Sequence, residues 1–190
     1  MGMKFEKLGG TDVCVISRNS FSDARGSFTR VYCEAEFAEA GLPTHFPHIN
    51  FSDNVAPFTL RGMHFQYPPH EEGKMIFCVA GRIFDVAVDV RPESSTYKQW
   101  VGLELDADNK QSLYVPAGFA HGFLTLEPHT RVIYMATEPY KGGAEGGLRY
   151  DDPAIAIKWP AQPVTVSDKD LVWPCFDAAA HHAAKWGKQK

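Results

Sequence analysis

Residues 60–89 read LRGMHFQYPPHEEGKMIFCVAGRIFDVAVD. Apolar and polar side chains alternate through 58–65, 74–79 and 82–90, and a period of two is that of strands with one buried face. Pro68-Pro69 interrupt the first run, and Ala80-Gly81-Arg82 turn the second into the third. A histidine on such a strand points into a barrel or sandwich, where a small ligand fits. Arg61 and His64 have opposite parity, so a regular strand separates them onto two faces; a bulge at Gly62 brings both into one cavity. Along 82–90, Asp85 and Asp89 share a face with Ile83 and Ala87, while Phe84, Val86 and Val88 take the other. Asp85 is expected to be buried with a partner. Asp89, beside Arg91-Pro92 and a loop, is expected to be wet.

Outward from this stretch the pattern persists. Strands are expected over 13–17, 27–32, 48–52, 100–105, 112–115, 121–126 and 131–137, with a turn at 21–26 (FSDARG). Residues 34–40 have helical spacing closed by Gly41 and Pro43. The segment 139–147, with four glycines, reads as a loop, and Ser167 opens a helical turn to Asp170. About ten short strands with few helices mean an all-β sandwich or barrel. The whole of 1–190 is expected as one domain, with 175–190 a short C-terminal tail; 177–190, small and polar, reads as a short helix or a loose tail, and His181 and His182 receive no role.

Composition excludes several classes. A formal net charge of −4 gives no basic footprint for nucleic acid. No apolar run is long enough to span a membrane, and the start MGMKFEKLGGTDV lacks a signal-peptide core. Cys14, Cys33, Cys78 and Cys175 have no CxxC spacing and read as reduced thiols of a cytoplasmic protein.

FSDARGSF, LRGMHFQ, EEGKM, GRIFDVAVDVR, VPAGFAHGF, the Tyr134 and Tyr140 pair, DDP and SDKD follow one another over most of 20–174. In these motifs the chain resembles the dTDP-4-dehydrorhamnose 3,5-epimerases and related enzymes of nucleotide-linked 4-keto sugars. The resemblance implies a cupin-type jelly roll with minor helices and no metal or other cofactor. It also implies a homodimer in which one subunit lends a strand to its partner's site. It assigns His64 as catalytic base, Asp170 as its carboxylate, Tyr134 as the acid across the sugar and Lys74 as the cation near the keto oxygen. His121 and Asp85 match a second histidine–carboxylate pair. Arg25, Asn50, Arg61, Tyr140, Glu145 and Lys169 match positions that hold nucleotide, diphosphate or sugar. Arg30 and His48 depart from the family pattern, which has glutamate and glutamine there; both belong to the nucleotide end.

The chemistry implied is inversion beside a ketone. A base working near neutral pH suits imidazole, a carboxylate behind it fixes the tautomer, and a cation stabilises the enolate oxygen. A phenol returns the proton on the far face. Other readings stay open on the residues alone: a nucleotide-sugar keto-isomerase, a metal-dependent cupin oxygenase using His64, Glu71 or Glu72 and His121, or a sugar-binding module. Phe28 and Trp173 are placed equally for stacking on a ligand, for the core or for an interface.

Overall fold

A computed structural model describes residues 2–181. Its strands are β1 Lys4–Lys7, β2 Cys14–Ser17, β3 Ser20–Asp23, β4 Gly26–Thr29, β5 His48–Asn54, β6 Thr59–Gln66 and β7 Lys74–Ala80. They continue with β8 Arg82–Asp89, β9 Trp100–Asp106, β10 Gln111–Val115, β11 Phe119–Thr125, β12 Thr130–Ala136, β13 Glu145–Gly147 and β14 Thr165–Val166. Three short helices accompany them, α1 Glu34–Glu39, α2 Asp168–Leu171 and α3 Ala178–His181.

One sheet runs β1-β2-β10-β7-β12-β5, the other β13-β6-β11-β8-β9 with β14 parallel to β6, and β3-β4 pair only with each other. This is the expected all-β jelly roll. The alternation along β7 and β8 explains why each sheet carries apolar surface on both faces. Ile76, Cys78, Ile83 and Ala87 meet Leu113, Phe119 and Val132 between the sheets. Met63, Phe65, Val86 and Val88 turn outward beneath Leu148 and Ile155. On the first sheet Met75 and Phe77 turn outward against Phe37 of α1. Each fully buried Val, Leu, Ile, Phe or Met side chain among these contributes about 1.5–3 kcal/mol.

Four expectations change. The first strand pairs with a preceding one, β1, whose polar sequence KFEK concealed it: it is an edge strand. The glycine-rich loop contains β13, which pairs with β6 from Gln66 to His64. The short-helix reading of the end holds over α3, but His181, given no role from the sequence, is buried there with its Nε2 2.8 Å from the carbonyl of Val90; His182 lies outside the described residues. Asp89 is not wet but fully buried. Its carboxylate accepts five hydrogen bonds, from Arg91 N, Nε and Nη2, Ser94 Oγ and Thr96 Oγ1. The loop that suggested solvent is what supplies the partners. Burying a lone carboxylate costs several kcal/mol, and this set of donors offsets it.

Candidate active site

A cavity of about 580 Å³ opens between the two sheets, of the size that takes a small-molecule ligand. Arg61, His64, His121 and Phe123 line it from β6 and β11, Lys74 and Tyr134 from β7 and β12. Thr165 to Ser167, Lys169 and Asp170 close one side.

The parity problem on β6 is resolved as the sequence suggests. His64 pairs with His121 but Arg61 pairs with Phe123, so the ladder carries one extra residue on β6 at Gly62-Met63. Arg61 and His64 therefore share the cavity. Only glycines allow this approach: a Cβ at Gly62 would lie 2.6 Å from Gly122 Cα, and one at Gly122 would lie 2.7 Å from the carbonyl of Arg61.

His64 donates from Nε2 to Asp170 Oδ1 at 2.5 Å. Asp170 is buried, and its Oδ2 accepts from the amide of Gly62 at 3.2 Å. Asp170 reaches this position because Ser167 caps α2, accepting from Asp170 N. Burial works to raise the Asp170 carboxyl, but His64, Gly62 and Ser167 outweigh it and hold the group below the usual carboxylate range. It stays ionised at neutral pH, which keeps the proton on Nε2 and leaves Nδ1 of His64 as the basic atom.

Tyr134 projects from the opposing sheet. Burial pushes its phenol above the ordinary value; Glu72 adds to this and Arg61 opposes it. It is therefore a proton donor, not a phenolate, across the neutral range. Lys74 is buried, its ammonium 2.9 Å from Glu72 Oε1. The sequence offered Glu72 only as a metal ligand; here it is the counter-ion of Lys74, two residues away along the chain.

The remaining polar groups are fixed in turn. His121 donates to Asp85 Oδ1 at 2.7 Å. Asp85 is fully buried and sits behind His121, not on the cavity wall. Its Oδ2 has no hydrogen-bond partner among the described residues. Arg61 Nε donates to Asn54 Oδ1 at 2.7 Å, an anchor the sequence did not reveal, and its two terminal nitrogens face no described partner. No group of three or more His, Cys, Asp or Glu side chains among the described residues is arranged to hold a metal ion.

The sequence profile of the dTDP-4-dehydrorhamnose 3,5-epimerases matches residues 8–178. The chain belongs to that family. Its curated relatives include the dTDP-4-dehydrorhamnose 3,5-epimerase of Sinorhizobium fredii, 43% identical over 90% of this chain and 89% of that protein. Among solved structures, the Bacillus anthracis dTDP-4-dehydrorhamnose 3,5-epimerase with TDP and pyrophosphate bound superposes with a TM-score of 0.89. It is 40% identical, covering 92% of this chain and all of that one (100%). A 3'-monoepimerase from Streptomyces bikiniensis, in complex with dTDP-quinovose, is similar at 26% identity and a TM-score of 0.85, over 97% and 95% of the two chains. Epimerases are isomerases, so this family member is an enzyme of that class, built on a cupin-type jelly roll.

Of the residues that the resemblance assigned, the epimerase fold brings Arg61, His64, Lys74, His121, Tyr134, Lys169 and Asp170 to one cavity. Lys169 Nζ pairs with Glu145 Oε1 at 2.5 Å, and Tyr140 donates to Glu145 Oε2 at 3.4 Å, so Glu145 and Tyr140, which do not line the cavity, are tied to it through Lys169. Asn50 is the ladder partner of Tyr134 but does not line the cavity. Arg25 and Arg30 are drawn to Asp23 and Glu36, and His48 is exposed on β5; none of the three reaches this chain's own cavity. No helix among the described residues is long and apolar enough to cross a membrane.

Proposed function

We propose that the protein inverts C3, C5 or both of a 4-keto-6-deoxyhexose carried on a nucleoside diphosphate, in deoxy-sugar biosynthesis. The observation that carries this reading is the His64–Asp170 pair and Tyr134 facing one cavity from opposing sheets. His64 Nδ1 takes the proton from the carbon beside the ketone, and the C–H electron pair moves into an enolate. Lys74 stabilises the oxyanion, a contribution of about 3–4 kcal/mol for one well-placed donor. Tyr134 O–H returns a proton to the opposite face, and both residues re-equilibrate with solvent. No electrons are gained or lost, so the sequence of steps calls for no redox cofactor. Arg61 and Lys169 hold the diphosphate, and His121, backed by Asp85, holds a sugar oxygen.

The active unit is a homodimer of single-domain subunits in the cytoplasm. Phe21 and Phe28 on the β3–β4 hairpin and Ile49 and Phe51 on edge strand β5 are exposed. An unpaired edge and an apolar surface of this kind favour a second copy. In that dimer Arg25 and Arg30 reach the partner's nucleotide, and His48 and Asn50 border it. Light scattering at assay concentration tests the assembly; a monomer with full activity overturns it.

The test of the chemistry is deuterium uptake into the 4-keto sugar nucleotide, followed by NMR. Wild type exchanges the protons flanking the ketone. His64→Asn loses exchange by about 10²–10⁴-fold while still binding nucleotide. Undiminished exchange in that variant removes His64 from the role of base.

A further inference from the structure

We infer that Trp173 is a positioning residue for the base: its indole occupies the space left by Gly147 and so fixes Asp170 and His64 against each other. The inference rests on the epimerase reading of the site.

Gly147 is the ladder partner of His64, so the two positions direct side chains to the same face of the sheet. A Cβ built at Gly147 would lie 2.2 Å from Cε2, 2.4 Å from Cδ2 and 2.6 Å from Nε1 of Trp173. The indole thus fills the position where any other residue would place its side chain. The same ring meets the His64 imidazole edge-on, with centroids 6.5 Å apart and planes at 63°. Trp173 follows Asp170 by three residues. The short chain between them is pinned by Ser167 at the N-terminus of α2 and by Arg149 Nη1, which donates to the carbonyl of Leu171 at 2.9 Å. The indole N–H is buried without a hydrogen-bond partner among the described residues. A buried Trp normally satisfies that donor. Shape against Gly147 and His64, not a hydrogen bond, therefore sets where the ring sits.

The consequence concerns the base directly. The His64 side chain is 29% exposed to the cavity, against 4% for Asp170. The imidazole has open space on its ligand side and depends on its other neighbours to hold Nε2 on Asp170 and Nδ1 toward the substrate. Trp173 supplies one wall and, through the chain, locates the carboxylate. A shift of about 1 Å in such a constellation costs on the order of 10²-fold in rate.

The experiment compares Gly147→Ala, Trp173→Leu and the double variant in the intact chain. The readouts are kcat and KM for epimerisation, and the low-field N–H proton resonance of the His64–Asp170 bond in ligand-free protein. Gly147→Ala is expected to displace the indole, lower kcat by about 10²-fold with KM changed less than about threefold, and move the resonance. Trp173→Leu is expected to lower kcat by about tenfold and to move the resonance as well. In the Trp173→Leu background the added methyl at 147 is expected to cost no more than about twofold, because its obstacle is gone. An equal cost in both backgrounds, a loss confined to KM, or an unmoved resonance in both single variants overturns the proposal. If Gly147→Ala does not fold, the resonance and the kcat–KM split of Trp173→Leu decide alone. If wild type fails to exchange any 4-keto sugar nucleotide, the functional reading falls, while the resonance still decides whether Trp173 positions the pair.

Discussion

Replacing Asp170 by asparagine exchanges one oxygen for an NH₂ group at almost no change in volume, yet the structure assigns it a large effect. The wild-type carboxylate accepts on both oxygens, from His64 Nε2 at 2.5 Å and from the amide of Gly62 at 3.2 Å. An asparagine has one acceptor and one donor. The Gly62 amide can only donate, so the side-chain oxygen turns toward it and the NH₂ group faces His64. Nε2 must then accept, the ring proton moves to Nδ1, and the atom facing the cavity is no longer a base. A wrong tautomer of this kind, together with loss of the charge behind the imidazolium, costs about 10³–10⁴-fold. The assay is solvent deuterium exchange into the 4-keto sugar nucleotide, with nucleotide affinity measured in parallel by calorimetry. Affinity should change little, because Asp170 does not carry the diphosphate. Asp170→Ala is informative beside it. It imposes no tautomer and lets water take the vacated space, so it should be less impaired than Asp170→Asn although more has been removed. Exchange by Asp170→Asn within tenfold of wild type, about 1.4 kcal/mol, would refute the tautomer argument.

Tyr134→Phe removes the donor but not the base, so exchange at one flanking carbon survives while net inversion falls by about 10²–10⁴-fold; NMR of the product mixture separates the two. Asp89→Asn breaks a buried, multiply bonded pair and lowers stability by about 3 kcal/mol at pH 7, read from urea unfolding. Burial works to raise the Asp89 carboxyl, yet Arg91, Ser94 and Thr96 hold it below the usual range. Its contribution is therefore present above the unfolded value near pH 3.9 and lost as pH falls through the lower folded value. The gap between wild type and Asp89→Asn should narrow below about pH 4.

Much of this protein is legible in its sequence because a strand's period of two is a local property. The inner and outer faces of β8 follow from counting along 82–90, and the need for a bulge at Gly62 follows from the parity of Arg61 and His64. Those inferences require only the pleat and the cost of burying charge. The motifs also carried the candidate catalytic set, since each functional side chain stands in a short recognisable context.

The motifs gave the His64–Asp170 and His121–Asp85 pairs, but partnership outside them was not legible, because it depends on which segments meet across the fold. Asp89 looked solvated until the loop after it was seen to fold back with Arg91, Ser94 and Thr96. Glu72 as the counter-ion of Lys74 and Asn54 as the anchor of Arg61 emerge only from the folded chain. The edge strands β1 and β13 have too few apolar residues to declare themselves, and their pairing is decided by the neighbour that accepts them. Trp173 is the clearest case. Nothing within 26 residues of chain connects it to Gly147, and no periodicity relates either to His64. What joins them is an empty side-chain position in one strand that fits an indole arriving from another part of the chain. Close packing of that kind is a property of the folded interior alone.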